Sequence, residues 1–386
     1  LMVLSGVVIR AQSLSYPKQM TFDEHHFVNN ARNYLQAKPD WNDHPPLGKL
    51  LIGVGMSVFG DNSFGWRIVP LLFGLAAIGI AYGIGATLSR SWKGGAVAAA
   101  VLAVDGFFIA YSRTALLDGM LTTLLLGAAL ATLRARKPWQ VAWACVLVGF
   151  AVSIKFTGAV MIVPIVLVTL VLAQAPRWTA ALVAIVPVVY WGCFATGLAK
   201  LGLPWGPEAA WRATRGLLSH HLALTEMTNP ATSYWYTWFL PEHPIFLRFD
   251  QTPTHVRVMT SMGNPLLWWS ASLLLAATLA STLRKGVALL RPAMADPRSD
   301  GFGGFLQDHA RAAAMLLLFW LLPLLPWVLT RRDSYIYHYL PCYGFGLLLV
   351  ALLLTWLYER RAVWGLAAIL LGADVSAFYA PVWGQL

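Results

Sequence analysis

The chain has 386 residues, of which 58% are hydrophobic and only 12% charged, about half the ~25% charged share of a soluble domain. That balance argues against a soluble globular or a disordered protein. The net charge of +11 does not point to nucleic acid, because the Lys and Arg residues sit beside apolar runs and no basic helix with interleaved aromatics lies outside them.

Apolar segments follow one another along the whole length. Read in chain order, they predict spans at Leu1–Gln12, Ile68–Leu88, Gly94–Tyr111, Leu116–Leu133, Val141–Ser153, Ala159–Ala173, Ala180–Ala195, Pro265–Leu283, Ala312–Leu329, Tyr339–Leu357 and Ala362–Tyr379. The expected fold is an all-α polytopic membrane protein, a single integral membrane domain over 1–386 with about 11 transmembrane helices. The first run is short for a span and reads as the end of a longer one, with the remnant of a cleaved signal peptide as the alternative. Pro46–Phe59 is too short to span and is expected to lie along the interface as an amphipathic helix. The 18 Trp and 13 Tyr residues suit the two interfaces.

The connections alternate in character. "SRSWKG", "RARKPW", "QAPRW", "YERRAV" and the long stretch after Leu283 are dense in Lys and Arg, so the positive-inside rule makes them cytoplasmic. Two long loops, 13–67 and 196–264, then face a periplasm or the exterior, which suggests a plasma (inner) membrane protein with its site outward. Of the nine histidines, all but His309 fall on that outer side. Mixed composition predicts that both outer loops are folded.

Residues able to do chemistry gather on the same side. "FDEHHF" places Asp23 and Glu24 after the first apolar run, where a carboxylate either edges a solvated loop or serves as a general base. "DWNDHPPLGKL" offers Asp43, His44 and Lys49 around a turn stiffened by two prolines. In "AYSRTALLD", Arg113 either pairs with Asp118 to staple two helices or captures a phosphate with its planar fork. Lys155 of "SIKFTG" reads as a snorkelling anchor. Arg331 and Arg332 break the charge rule by sitting in a short outer loop, which suggests a grip on an anionic lipid head group. His338 and Tyr339 follow them into the next span. The pairs His25–His26 and His220–His221 match no standard zinc spacing, and Cys145, Cys193 and Cys342 lie in or beside apolar segments without metal-ligand spacing.

Together, "FDEHHF", "DWNDHPPLGKLL", "SRTALLD", "GNPLLWW" and "YIYHYLP" after an arginine pair resemble the protein O-mannosyltransferase family. The resemblance covers nearly the whole chain and implies a glycosyltransferase C fold and a polyprenyl-phosphate mannose donor. It also implies an exported Ser/Thr-containing polypeptide acceptor and no obligatory metal. Nothing implies nucleic acid; membrane lipids are the remaining partners. Carried over, Asp23 resembles the catalytic base, Glu24 its neighbour shaping the acceptor site, and Arg113 the donor-phosphate ligand. The expected site is therefore Asp23 and Glu24 for catalysis; Arg113, Arg331, Arg332 and Lys49 for the donor phosphate; and His44, Asp118, His338, Tyr339 and Asn264 for substrate. The loop 196–264 is too short for the β-trefoil of eukaryotic members, so the resemblance is to the bacterial type. Tyr337-His338-Tyr339 replaces the double histidine of many relatives. The runner-up readings are the same fold glycosylating a lipid or cell-wall glycan, a membrane transporter, and a non-catalytic partner subunit.

Overall fold

Helices form where the apolar runs do. The computed structural model describes residues 1–39, 43–171, 175–225, 229–251, 256–285, 305 and 308–360. The expected span Ala362–Tyr379 lies outside the described residues, as do Asp40, Trp41, Asn42 and most of the connection after Lys285.

The helices are α1 Met2–Ala11, α2 Glu24–Leu35, α3 Leu47–Phe59, α4 Ser63–Ser89, α5 Trp92–Val104, α6 Gly106–Ser112, α7 Leu117–Leu133 and α8 Pro138–Ile154. Then come α9 Ile162–Val171, α10 Ile185–Lys200, α11 Pro207–Ala223, α12 Pro265–Lys285, α13 Ala310–Leu329 and α14 Leu340–Arg360. Tight 3-10 turns precede α9, α10 and α14. Among the described residues, five helices are long and apolar enough to cross a membrane, and six if one bent pair counts as a single span. The apolar helices α1, α7 and α8 are shorter, at 10 to 17 residues. Seventeen residues rise roughly 25 Å, somewhat less than a ~30 Å hydrocarbon core.

The segment Ile336–Arg360 is the central post, with 83% of its apolar window buried, against 22–44% for the other long spans. It packs against α4, α5, α7, α12 and α13. The peripheral helices therefore turn most of their apolar surface outward, as lipid-facing helices do.

Three boundaries differ from the sequence expectation. The helix α4 starts at Ser63 rather than Ile68, because the Asn62 carboxamide oxygen accepts from the backbone N–H of Phe64 at 3.0 Å and of Gly65 at 3.1 Å. This is an N-cap, which supplies acceptors for orphan helix donors. The expected continuous span Gly94–Tyr111 is broken by 68° at Asp105. The Asp105 carboxylate caps α6 by accepting from Phe107 N at 3.0 Å and Phe108 N at 3.1 Å. The buried Arg10 guanidinium of α1 donates to the carbonyls of Leu102, at 3.0 Å, and Ala103. A break at membrane depth survives only if the freed backbone groups find partners, and these two side chains provide them. The third difference is strand: the loop 196–264 holds an antiparallel hairpin, β1 Phe246–Gln251 and β2 Val256–Thr260, with a register shift between Phe246 and Arg248.

Both long loops, 13–67 and 196–264, contain packed secondary structure. The helices α2 and α3 pack together, and α3 lies against α4. In the second loop, Trp235–Phe239 is clipped to the segment before α14. Ser233 N donates to Ser334 O at 2.8 Å, Ser334 Oγ donates to Ser233 O at 2.8 Å, and Trp268 Nε1 donates to Trp238 O at 2.9 Å.

Candidate active site

The adjacent carboxylates Asp23 and Glu24 have opposite environments. Asp23 occupies the N-cap position of α2, yet its side chain caps nothing. Glu24 is fully buried. Its Oε1 accepts from Arg67 Nε at 2.7 Å and Ala115 N at 2.8 Å. Its Oε2 accepts from Arg67 Nη2 at 2.7 Å, Thr21 N at 2.8 Å and Thr21 Oγ1 at 3.0 Å. Arg67, equally buried, also donates to the carbonyls of Pro17 at 2.7 Å, Gln19 at 3.0 Å and Leu14 at 3.3 Å. One bidentate pair thus ties α2, α4, the loop before α2 and the turn before α7 together. Glu24 has every lone pair engaged and none left for a substrate. Sequence reasoning passed over Arg67, since an arginine next to a span is ordinarily an anchor.

The free carboxylate of Asp23 faces a cleft of about 40 Å³ lined by Phe22, Phe27, His44, Tyr111, Leu116, Asp118, Lys155 and Tyr337. Phe22 holds a left-handed φ of 47°, a conformation that costs a bulky residue energy and that clusters at functional sites. Its ring meets Tyr337 edge-on at 5.9 Å. Burial pushes the Asp23 carboxyl above its ordinary range, with the charge of Asp118 adding to the shift and those of His26, Lys155 and His25 opposing it. The Tyr111 hydroxyl is buried with no hydrogen-bond partner among the described residues.

The cation in this cleft is Lys155, not Arg113. Lys155 Nζ donates to both Asp118 oxygens at 2.8 Å and lies 5.5 Å over the Tyr337 ring. Arg113 therefore does not staple Asp118. Its guanidinium closes the end of α1, donating to the carbonyls of Ile9, Arg10 at 2.8 Å, Gln12 at 2.7 Å and Ser13 at 3.3 Å. Orphan carbonyls at a helix C-terminus favour a cation, and these account for the position of Arg113 outside the cleft lining. Sequence spacing could not separate this role from phosphate capture.

Beside the cleft stands a second basic group. Arg332 Nη1 donates to His221 Nδ1 at 2.7 Å, and His221 Nε2 donates to Asp43 O at 2.6 Å. A guanidinium only donates and a carbonyl only accepts, so His221 is the neutral Nε2–H tautomer. Burial and the Arg332 charge both depress its pKa, in agreement. The His221 ring stacks on His44 at 5.5 Å, and burial together with Lys155 and Lys49 holds His44 well below the ordinary imidazole range. Arg332 Nε is buried without a partner among the described residues. Arg331 is exposed. Lys49 is buried and donates to the carbonyl of His44, bracing the turn.

The remaining expected residues divide. His338 Nδ1 accepts from Tyr335 N at 3.0 Å, which leaves Nε2–H as its donor. Its ring stacks on Trp327 at 3.7 Å, and it lines a small cavity shared with Asp118. Tyr339 is fully buried among Trp238, Phe239, Trp268 and Tyr343, its hydroxyl accepting from Trp320 Nε1 at 3.1 Å. It belongs to the core; Tyr337, two residues earlier, lines the cleft together with Tyr111. Asn264 is the N-terminal cap of α12, accepting from Leu266 N at 3.0 Å and Leu267 N at 3.3 Å. Its own N–H donates to Asp105 Oδ2 at 3.1 Å, beside Tyr343 Oη donating at 2.8 Å. The "GNP" motif therefore docks α12 onto the break between α5 and α6. A Cβ at Gly263 would lie 2.6 Å from Asp105 Oδ2 and 2.7 Å from Tyr343 Oη. Gly263→Ala is expected to cost about 1–3 kcal/mol by overpacking, read as a fall in thermal midpoint of the purified protein.

The histidines form no shared metal site among the described residues. The His25 and His26 rings lie tilted against each other, centroids 3.8 Å apart, in the open, and His25 bonds to Phe22 O at 2.6 Å. His220 and His221 belong to the Asp43–Arg332 group.

The arrangement of spans is a known one. The structure superposes on a Saccharomyces cerevisiae protein O-mannosyltransferase Pmt1-Pmt2 complex solved with its sugar donor, with a TM-score of 0.77 at 13% identity, covering 99% of this chain and 89% of that one. It also superposes on ArnT of Cupriavidus metallidurans bound to undecaprenyl phosphate, with a TM-score of 0.58 at 16% identity over 99% of this chain and 64% of that one. The fold is thus that of the glycosyltransferase C class of multi-pass membrane proteins. Family profiles described as dolichyl-phosphate-mannose-protein mannosyltransferase match residues 1–63 and 43–194. One described as the C-terminal four-transmembrane region of protein O-mannosyltransferase matches 208–381. The chain belongs to the protein O-mannosyltransferase family. A Mycobacterium tuberculosis polyprenol-phosphate-mannose–protein mannosyltransferase is 26% identical over 330 residues, covering 65% of this chain and 63% of its own length. The chain spans somewhat under two thirds of that relative.

Proposed function

We propose that the chain is an inverting membrane glycosyltransferase that moves mannose from a polyprenyl phosphate to Ser or Thr hydroxyls of exported polypeptides. One domain over 1–386 carries the activity, with the outer loops 13–67 and 196–264 forming the site on the outer face of the plasma membrane. The observation that carries this reading is the unengaged, half-buried carboxylate of Asp23 in a cleft with a cation and an unpartnered tyrosine hydroxyl. Family membership and the name of the mycobacterial relative support the choice of donor and acceptor.

The cleft, about 40 Å³, has room for a hydroxyl group or water, which needs roughly 10–15 Å³ of such space. The acceptor hydroxyl enters it and the sugar sits at its mouth. Asp23 takes the hydroxyl proton while the oxygen attacks the anomeric carbon, and the bond from that carbon to the phosphate oxygen breaks on the opposite face. The phosphate leaves with the bonding electrons and no metal is required, because phosphate is a good leaving group once its growing charge meets a cation. Arg332 suits that role better than Arg113. Its Nε is free while the Arg113 fork holds the end of α1. Lys155, already neutralised by Asp118, orients the cleft and adds a smaller share. Glu24 acts at one remove, by fixing where Asp23 stands.

The test is transfer of label from polyprenyl-phosphate mannose to a Ser/Thr peptide by the purified chain. Arg332→Gln is expected to raise the apparent KM for the donor at least tenfold and to leave that for the peptide within twofold. Label entering lipid or glycan but not peptide would refute the acceptor. Equal effects on both substrates would refute the phosphate assignment to Arg332.

A further inference from the structure

A groove of about 600 Å³ runs between α4, α7 and α8 and shares no lining residue with the cleft at Asp23. Each of these helices carries one end at the active-site layer, at Arg67, Asp118 and Lys155, and the other at Thr87, Arg134 and Trp139. From Asp118 to Arg134 the rise is roughly 25 Å, so the far end of the groove comes close to the opposite side of a ~30 Å bilayer core. We propose that this groove holds one anionic phospholipid of that leaflet, with an acyl chain along the helices and the headgroup phosphate on Arg134.

Three features point there. The walls are Leu72, Ile80, Leu130 and Leu147, with Gly127 opening the floor. Its volume lies within the ~300–1,000 Å³ of lipid- and drug-sized sites. At the far end Trp139 and Trp143 are 64% and 53% exposed beside it, the placement of aromatic residues at headgroup depth. Arg134 supplies the charge. Its Nε donates to Thr87 Oγ1 at 2.8 Å and its Nη2 to Gly83 O at 3.1 Å, so the side chain is pinned at the groove. Of five guanidinium N–H groups, Nη1 and one N–H of Nη2 stay open, a fork matched to phosphate oxygens. No carboxylate pairs with Arg134 among the described residues, and Arg136 and Lys137 stand exposed next to it. A headgroup with a net negative charge neutralises this cluster, whereas in a zwitterionic headgroup the phosphodiester already has a cation of its own and does so less well. The proposal rests on the chain lying in a membrane and not on the chemistry at Asp23.

Native mass spectrometry of the purified full chain with phosphatidylglycerol or phosphatidylcholine of matched acyl chains tests it. The expected result is one retained phosphatidylglycerol, bound at least tenfold more tightly than phosphatidylcholine. Arg134→Gln should remove that preference and Arg134→Lys should keep most of it. Gly127→Leu should weaken both lipids; its Cβ finds only ordinary contacts, 3.4 Å from Leu147 and 3.6 Å from Ile80, so the added bulk enters the groove. Equal retention of the two lipids, or a preference that survives Arg134→Gln, would overturn the proposal. So would polyprenyl phosphate displacing phosphatidylglycerol at the groove, or a dimer that closes the groove to lipid.

Discussion

Asp23→Asn is expected to lower turnover by about 10²–10⁴-fold, the range a positioned general base supplies, while the purified protein becomes no less stable. The two halves of this expectation share one cause. Burial raises the Asp23 pKa, which means the folded protein holds that proton more tightly than the unfolded chain. The sign follows: the stability this group contributes is present while it is protonated and is lost as pH rises from the ordinary ~3.9 through the raised value. At neutral pH the charged carboxylate is a net cost, and a neutral amide of the same shape relieves it. A structural carboxylate would behave the other way, and its loss would lower the melting point. In the wild type the base must be ionised, so the acid limb of kcat/KM should sit above the ordinary aspartate range. Arg332→Gln should leave that limb nearly in place, because the charges coupled to Asp23 are Asp118, His26, Lys155 and His25. Near-normal turnover in Asp23→Asn, or a clear fall in its thermal midpoint, would remove Asp23 from the reaction.

The spans were legible because an apolar run of membrane length can form little besides a buried or lipid-facing helix: Leu117–Leu133 and Ala310–Leu329 lie within two residues of where hydropathy put them. The break at Asp105 was not. It depends on Arg10 arriving from a distant helix to satisfy freed carbonyls, and nothing local to the "AVDGFF" stretch announces that partner. The site was legible to the level of motif and not of residue. "FDEHHF" located the acid, but hydropathy could not tell which of two neighbours faces the cleft, since α2 turns Glu24 inward onto Arg67 and leaves Asp23 free. The same limit separated Arg113 from Arg332 and Tyr339 from Tyr337. Which arginine is occupied by carbonyls, and which tyrosine by the core, depends on groups remote in sequence, such as Gln12 and Trp320.

Arg67→Met is expected to destabilise the protein by about 3–5 kcal/mol, the cost of stranding one member of a buried pair, and so to cost more than any surface charge removal. The carboxylate of Glu24 would keep only the N–H groups of Thr21 and Ala115 and the Thr21 hydroxyl, and three carbonyls of the loop before α2 would lose their donor. Glu24→Gln is the milder change: it leaves the Arg67 charge buried but preserves its bonds to those carbonyls. Pairing Arg67→Met with Glu24→Leu removes both charges at once and should recover part of the stability, as apolar replacement of buried pairs does elsewhere. Turnover should not recover with it. With the bidentate tie gone, α2 is no longer fixed to α4 and to the turn at Ala115, and a displacement of Asp23 by about 1 Å is enough to lose ~10² in rate. Thermal unfolding and transfer kinetics on the two single variants and the double variant separate these effects. A double variant that regains both stability and turnover would mean that Asp23 is positioned by something other than the Glu24–Arg67 pair.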